Sequence, residues 1–375
     1  MGNLTKPKLK AKRVGVVFGC FAPCHLGHLD TIIRAKREND GCIVIASGRT
    51  GDRGDKIGLD LNRRFRYLRE LFADDEQVYV VSLNESHLPE YPHGWTEWLN
   101  IAQDKISAAN LAEHPAVTWY VGEAAYKEEL EQRTVDRVQL VDRTKRAISG
   151  TAIRNNPLKY WQQITKPFRR AFSINILVMG TASGGKTTLV RDLARTFGSH
   201  FTDEYARRYE EKYNVRDEEL TVNDFQYLAS GQFENNKQAI LSDANNGLFF
   251  ADTDVMVTKV YAKYYLPENA YSQIAPSFDL FIQSQKWDLI FVIPPITQYV
   301  NDGFRDMSYS DDKIRWQMHQ MFIEEIEANH MSEKVIVLDQ TGNETDKEGF
   351  YARYEAACEE INHYIANYEG EGVTC

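Results

Sequence analysis

Gly180-Thr181-Ala182-Ser183-Gly184-Gly185-Lys186-Thr187 satisfies G-x-x-x-x-G-K-[ST] at every fixed position. The apolar run Ile174–Met179 ahead of it reads as a buried strand, and Thr188–Ala194 behind it carries a helical pattern. That is the context a phosphate-binding loop needs. Its glycines let backbone N–H groups turn in around a phosphate, and the new helix aims its N-terminus at the same anion. Lys186 is expected at the β- and γ-phosphates of a nucleoside triphosphate and the Thr187 hydroxyl on Mg²⁺. Gly180, Ser183, Gly184, Gly185 and Thr188 complete the nucleotide-binding loop.

A second phosphate site, built differently, lies near the start. Val14–Phe18 reads as a strand, Gly19-Cys20-Phe21-Ala22-Pro23-Cys24-His25-Leu26-Gly27-His28 follows, and Leu29, Ile32, Ile33 and Lys36 then recur at helical spacing. Gly19 admits a ligand to the strand end. His25 and His28, three apart at a helix start, share one face where an anion is already favoured. Two histidines without an obvious base suit nucleotidyl transfer to a phosphate. That nucleophile is already ionised, so it needs alignment and donors for charge developing on the α-phosphate and the departing pyrophosphate. A zinc site from Cys20, Cys24, His25 and His28 does not match the usual ligand pairs.

Gly19–His28 is similar to the G-x-F-x-P-x-H-x-G-H signature of the nicotinamide-nucleotide adenylyltransferases, within the H-x-G-H nucleotidyltransferases. That implies nucleotide contacts at Gly19 and Phe21 and catalytic roles for His25 and His28. Ile148–Arg154 resembles the same family's I-S-[ST]-T-x-I-R segment, with Gly150 where Ser or Thr is commoner. By that resemblance Ser149 and Thr151 meet the triphosphate, and Arg154 adds a forked, fixed charge.

Elements to hold these groups are written along the chain. At 375 residues two domains are expected. Cys42–Ala46, Val78–Val81 and Val117–Val121 read as strands, and Arg63–Phe72 as a basic amphipathic helix. Arg63, Arg64 and Arg66 either line the triphosphate pocket or form an exposed face. Tyr91–Trp98 is set down as an aromatic-rich loop because Pro92 and Gly94 break periodicity. Trp95 and Trp98 either stack on a substrate ring or cover the domain's own core. Two prolines, Pro157 and Pro167, mark a packed joint over 156–172. The expected plan is a basic tail over 1–13, an adenylyltransferase domain over 14–155, the joint, and a P-loop kinase domain over 173–375. The fold class is α/β, with two doubly wound parallel-sheet domains. The first is Rossmann-like.

In the second half, Phe201–Arg208 closes a short apolar stretch and opens a helix. Asp203 or Glu204 is the acid expected beside the acceptor hydroxyl, with Arg207 one turn on. Leu248–Asp252 is an apolar strand ending in acid, which places Asp252 near Mg²⁺; Asp254 is assigned to substrate. Beyond a strand at Leu289–Ile293, the charged loop 301–306 reads as a lid. Asp302 is set beside substrate and Arg305 against the transferring phosphoryl group. Val335–Asp339 reads as a last strand, Gly342-Asn343 after it as a border of the adenine, and Phe350–Tyr368 as a closing helix.

From about Val14 onward the chain resembles the bifunctional NadR family. Tyr91–Trp95, Val141–Arg143, Asn155–Trp161, Glu204–Arg207 and Asn301–Arg305 add to the two phosphate motifs. The resemblance implies a ribosylnicotinamide kinase and a nicotinamide-nucleotide adenylyltransferase in one chain. Nicotinamide riboside, NMN, ATP and NAD are its small-molecule partners, ATP is the co-substrate, and Mg²⁺ is the cofactor. The rival readings are a nucleotide-sensing regulator with one activity vestigial, and the same folds acting on other acceptors. With the first strand near residue 14, no helix-turn-helix domain is expected ahead of it. A net charge of −10 argues against nucleic acid as a partner. No apolar run approaches the ~20 residues of a membrane span. Five irregularly spaced cysteines and no signal peptide point to the cytoplasm. A homo-oligomer is compatible with all of this. Lys6, Lys8, Lys10, Lys12 and Arg13 are expected on a solvated, dispensable arm.

Overall fold

Val14, Val16 and Val17 are β-branched and fully or nearly fully buried, and they set the central strand β1 (Arg13–Gly19). The computed structural model describes residues 7–90, 93–142, 144, 147–300 and 310–370. They fall into two units, one through Phe172 and one over Ser173–Gly370.

The first unit is a five-stranded sheet in the order β3-β2-β1-β4-β5, parallel throughout. Its other strands are β2 (Gly41–Gly48), β3 (Val78–Asn84), β4 (Ala116–Val121) and β5 (Arg137–Leu140). Helices α1 (Leu26–Glu38) and α2 (Leu61–Leu71) supply one core layer around Ile32 and Leu68. Helix α3 (Trp95–Ala109) supplies the other around Trp98 and Ile106. Helices α4 (Ala124–Glu131) and α5 (Gly150–Asn155) complete the unit. The strand order reverses between β1 and β4, the place where open parallel sheets bind ligands at their carboxyl ends.

Residues 156–172 pack into this unit. Trp161, Ile164, Phe168 and Phe172 are buried in the layer that α2 covers. Trp161 and Phe168 lie in short 3-10 turns, which end at Ile164 and Phe172. Thr165 ties them to the histidine loop: its Oγ1 donates to the Cys24 carbonyl at 2.8 Å.

Residues 7–12, just ahead of β1, are not the solvated arm expected; Lys6 lies outside the described residues. Leu9 and Ala11 are buried. The Leu9 N–H donates to the Ala109 carbonyl at 2.9 Å, and its own carbonyl accepts from Leu111 N at 2.7 Å. The Asn110 side chain satisfies both backbone groups of Ala11, at 3.0 and 2.8 Å. Lys8, Lys10 and Lys12 point outward between them, the alternation of a strand whose one face is covered.

The second unit repeats the scheme with order β10-β9-β6-β8-β7, again parallel. The strands are β6 (Ile174–Gly180), β7 (His200–Thr202), β8 (Leu248–Ala251), β9 (Leu289–Ile293) and β10 (Val335–Val337). Helices α6 (Lys186–Thr196), α7 (Tyr205–Tyr213), α8 (Val222–Ile240), α9 (Val255–Tyr265), α10 (Glu268–Ser284), α11 (Asp312–Ala328) and α12 (Phe350–Gly370) surround them. No helix among the described residues is long and apolar enough to cross a membrane.

Candidate active sites

In the first unit the chain leaves β1 at Gly19 and re-enters structure at α1, whose N-cap is His25. The His25 Nδ1 accepts from Gly27 N at 3.2 Å, and the His28 Nδ1 accepts from the His25 N–H at 3.4 Å. With Nδ1 accepting in both, the neutral rings carry their proton on Nε2. The rings stack at 3.8 Å between centroids, and Phe21 meets His28 edge-on at 5.0 Å. Both histidines line a cleft together with Gly19, Phe21, Ser149, Gly150, Thr151 and Arg154. The two sequence segments that were 120 residues apart thus face one cleft. Ser149 caps α5 by accepting from Ala152 N at 3.1 Å. Arg154 is buried and donates to the Ala22 carbonyl at 2.7 Å and to Thr151 Oγ1 at 3.0 Å. A Cβ at Gly150 would lie 3.1 Å from this guanidinium, so the glycine leaves room for the arginine fold.

A second cavity shares Gly19 and Cys20 with this cleft. Trp95 and Trp98 line it, each 7% exposed. They begin α3 and are not in a loop: Gly94 is the position preceding the helix, where a glycine is at home. Trp98 Nε1 donates to Ser47 Oγ at 2.9 Å, and Phe18 packs on Trp98 at 4.7 Å. The tryptophans therefore fill the domain's own core and also line a cavity. Phe18, Gly19, Cys20, Arg53 and Tyr126 border both cavities. Arg53 was missed because nothing in its local sequence marks it. The arginines of α2 do not line either cavity. Arg64 is wholly buried behind the loop, donating to the Cys20 carbonyl at 2.9 Å and to Asp52 at 2.8 Å. Arg63 bonds the Gly58 carbonyl, and Arg66 is exposed.

In the second unit the loop from Gly180 to Lys186 is wound by three positive φ angles, at Gly180 (155°), Ser183 (62°) and Gly185 (82°). A Cβ at Gly180 would sit 2.7 Å from the Ile293 carbonyl. Lys186 is buried and donates to the Thr181 carbonyl at 3.1 Å. Thr187 Oγ1 is hydrogen-bonded to Asp252, whose other oxygen is buried with no hydrogen-bond partner. Burial pushes the Asp252 carboxyl up to about 6, against the pull of Lys186. Thr253 next to it holds φ at 111°, costly for a β-branched side chain and a mark of a working site. Thr188, Gly184 and Gly185 border a side cleft with Phe350 and Tyr354 of α12. Gly342 and Asn343, expected beside an adenine, do not border it.

A cavity adjoins Lys186 and takes in Glu204 and Arg207. Asp203 is not among its walls; its carboxylate meets exposed Arg191 at 2.8 Å. Asp254 corrects the substrate assignment. It is fully buried and caps α9, accepting from Met256 N at 3.0 Å and from Trp287 Nε1 at 3.0 Å. Its burial raises the carboxyl to about 7. Asp302 and Arg305, like Tyr91, Arg143 and Asn301, lie outside the described residues. Glu210 and Asp217, also in the cavity wall, were missed because they read as solvated charges on a polar helix and turn.

Comparisons with known proteins agree with both halves. Residues 16–156 match the cytidylyltransferase-like family, and residues 175–345 match the AAA domain family. The trifunctional NAD biosynthesis/regulator protein NadR of Salmonella typhimurium is 30% identical over 332 residues, covering 86% of this chain and 78% of the relative. That of Escherichia coli is 30% identical over 339 residues, covering 88% and 80%. A crystal structure of NadR in complex with NR superposes with a TM-score of 0.85 at 43% identity, covering 96% of this chain and 98% of the other. One in complex with NAD and AMP-PNP gives 0.81 at 41% identity over the same shares.

Proposed function

The chain belongs to the NadR family, and from that premise we propose that it makes NAD from nicotinamide riboside in two ATP-dependent steps. The second domain phosphorylates the riboside 5′-hydroxyl to give NMN. The first transfers the adenylyl group of ATP to NMN and releases pyrophosphate. The observation that carries this reading is the pairing, in each domain, of one phosphate-binding loop with an adjoining cavity.

In the kinase, the loop amides and Lys186 hold the β- and γ-phosphates, and the adenine rests against Phe350 and Tyr354. Glu204 accepts the proton of the 5′-hydroxyl as it attacks the γ-phosphorus, with Arg207 beside it. Thr187 and the unpartnered oxygen of Asp252 are a hard, oxygen-only pair that fits Mg²⁺. When bound there, the ion offsets charge on the β- and γ-oxygens. Arg305 is the group we assign to the transferring phosphoryl.

In the adenylyltransferase, the NMN phosphate attacks the α-phosphorus and pyrophosphate leaves. The Nε2–H groups of His25 and His28 bond the phosphate oxygens as charge builds there. Ser149, Thr151 and Arg154 receive the β- and γ-phosphates. The nicotinamide ring enters the cavity of Trp95 and Trp98, and Arg53, at the border of the two cavities, meets the NMN phosphate. The free, buried thiols of Cys24 and Cys42 suit a reducing cytoplasm.

The test is incubation of the protein with nicotinamide riboside, ATP and Mg²⁺, followed by chromatography. NMN followed by NAD is expected. ATP turned over without either product would overturn the reading.

A further inference from the structure

The acceptor cavity of the second domain has an excess of acid. Glu204, Glu210 and Asp217 face two cations, Lys186 and Arg207. Lys186 is held at the phosphate loop by the Thr181 carbonyl. Glu210, three residues after Arg207 on α7, is 5% exposed. It shares a hydrogen bond with Asp217, from the turn after the helix. Two carboxyls can share a hydrogen bond only if one keeps a proton. The charged groups facing Glu210 are Asp217, Glu204 and Arg207. Helix α8 turns only Phe225, Leu228 and Gln232 to the cavity, and α9 adds the phenols of Tyr261 and Tyr265.

We infer that the Glu210–Asp217 carboxyl pair makes this cavity select a positively charged pyridinium nucleoside over uncharged nucleosides. The inference rests on the riboside reading of the site. Nothing in phosphoryl transfer to a hydroxyl calls for a second buried acid pair beyond Glu204. An uncharged base would leave the pair as it stands, sharing its proton. A pyridinium ring brings a delocalised positive charge with no hydrogen to donate from its ring nitrogen. Aromatic faces such as Tyr261 and a nearby carboxylate are the groups that attract such a charge. Burial and then Asp217 push the Glu210 carboxyl up to about 9, so it is neutral in the empty cavity at pH 7. The arriving cation favours its ionised form, and the proton leaves to solvent. Affinity for the cation must then rise with pH below that value, because less proton competes.

The test uses the full chain and two ligands of the same shape. One is nicotinamide riboside; the other is its C-nucleoside isostere, in which carbon replaces the ring nitrogen and the charge is gone. Calorimetry in buffers of different ionisation enthalpy reads both affinity and proton release. The wild-type chain should bind the cation at least tenfold more tightly at pH 7.5 and release a proton with it, while the isostere releases none. Between pH 6 and 8.5 the cation should tighten and the isostere should not. Glu210→Gln should weaken the cation about tenfold, leave the isostere within about twofold and abolish proton release. Equal binding of the two ligands by the wild-type chain, or a flat pH profile for the cation, overturns the inference without any variant. Equal loss of both ligands in Glu210→Gln does so too. If neither ligand binds at millimolar concentration, the riboside reading itself falls, and this inference with it.

Discussion

The Thr187 hydroxyl is hydrogen-bonded to the Asp252 carboxylate, joining the first turn of α6 to the residue just past β8. The two are 65 residues apart in sequence. Parallel pairing of β6 with β8, Leu177 opposite Ala251, brings the phosphate loop and the acid to the same carboxyl edge. The bond uses one carboxylate oxygen and leaves the other buried and unpartnered. Such a group is costly unless something completes it.

Magnesium completes it in our reading, so excess chelator should stop NMN formation, and Asp252→Asn should do so selectively. We expect a fall of about 10²–10³-fold in NMN formation, the scale of one lost transition-state charge contact. NAD formation from added NMN by the same variant should change less than about twofold. The paired rates, measured at saturating Mg²⁺, check it. Undiminished NMN formation by Asp252→Asn would remove this residue from the metal site.

Of the neighbouring acids, Glu204 borders the cavity and Asp203 does not. Glu204→Gln should lower kcat for riboside phosphorylation by about 10²–10⁴-fold, the range of a general base, with KM changing little. Asp203→Asn loses an exposed pair with Arg191 and a weak repulsion of Asp252, so its effect should stay below about 1 kcal/mol. Steady-state kinetics of the two variants decide it, and the reverse ranking would exchange their roles.

Both phosphate loops were legible because a phosphate dictates their residues at fixed spacing. Gly19–His28 and Gly180–Thr187 bracket their strands and helices as expected. The strands around them were legible because burial on both faces leaves continuous apolar runs, as in Leu289–Ile293. Direction was not legible. Asp252 and Asp254 are both acids beyond one strand, yet one meets Thr187 and the other caps a helix. Nor was partnership: Arg64 looks like its neighbours on α2 but is buried against Asp52. Glu210 reads as helix-surface charge until α7, the next turn and α9 are seen to close around it.

The start of the chain shows the same limit. Its lysines hide an alternating pattern whose inward members are Leu9 and Ala11. Leu9→Ala should destabilise the first domain by about 2–5 kcal/mol, the usual cost for a buried leucine. Its melting transition should fall by roughly 4–20 °C. Lys8→Ala and Lys10→Ala, on the outward face, should each stay within about 0.5 kcal/mol. Calorimetry of the three variants tests this, and an unchanged transition for Leu9→Ala would return the segment to a solvated arm.

The two chemistries should separate cleanly by single substitutions. Lys186→Ala removes the charge at the γ-phosphate end of the kinase loop. The histidine cleft is built wholly from residues 17–154 and does not include this lysine. The expected loss is about 10²–10³-fold, or about 2.7–4 kcal/mol, in NMN formation. NAD formation from added NMN should persist. His28→Ala should do the reverse, because it deletes one Nε2 donor from the adenylyl cleft and the side chain that accepts from His25 N. NMN should then accumulate from the riboside without conversion to NAD. His28→Ala also weakens the helix cap, which costs about 1 kcal/mol of stability. His28→Asn, which can still accept at the cap, should keep the stability and not the rate. Mixing Lys186→Ala with His28→Ala should restore riboside-to-NAD conversion, since NMN released by one chain can enter another. Loss of both reactions in either folded variant would refute independent sites. A mixture that fails while each variant keeps its own half would mean that NMN passes within one chain without release.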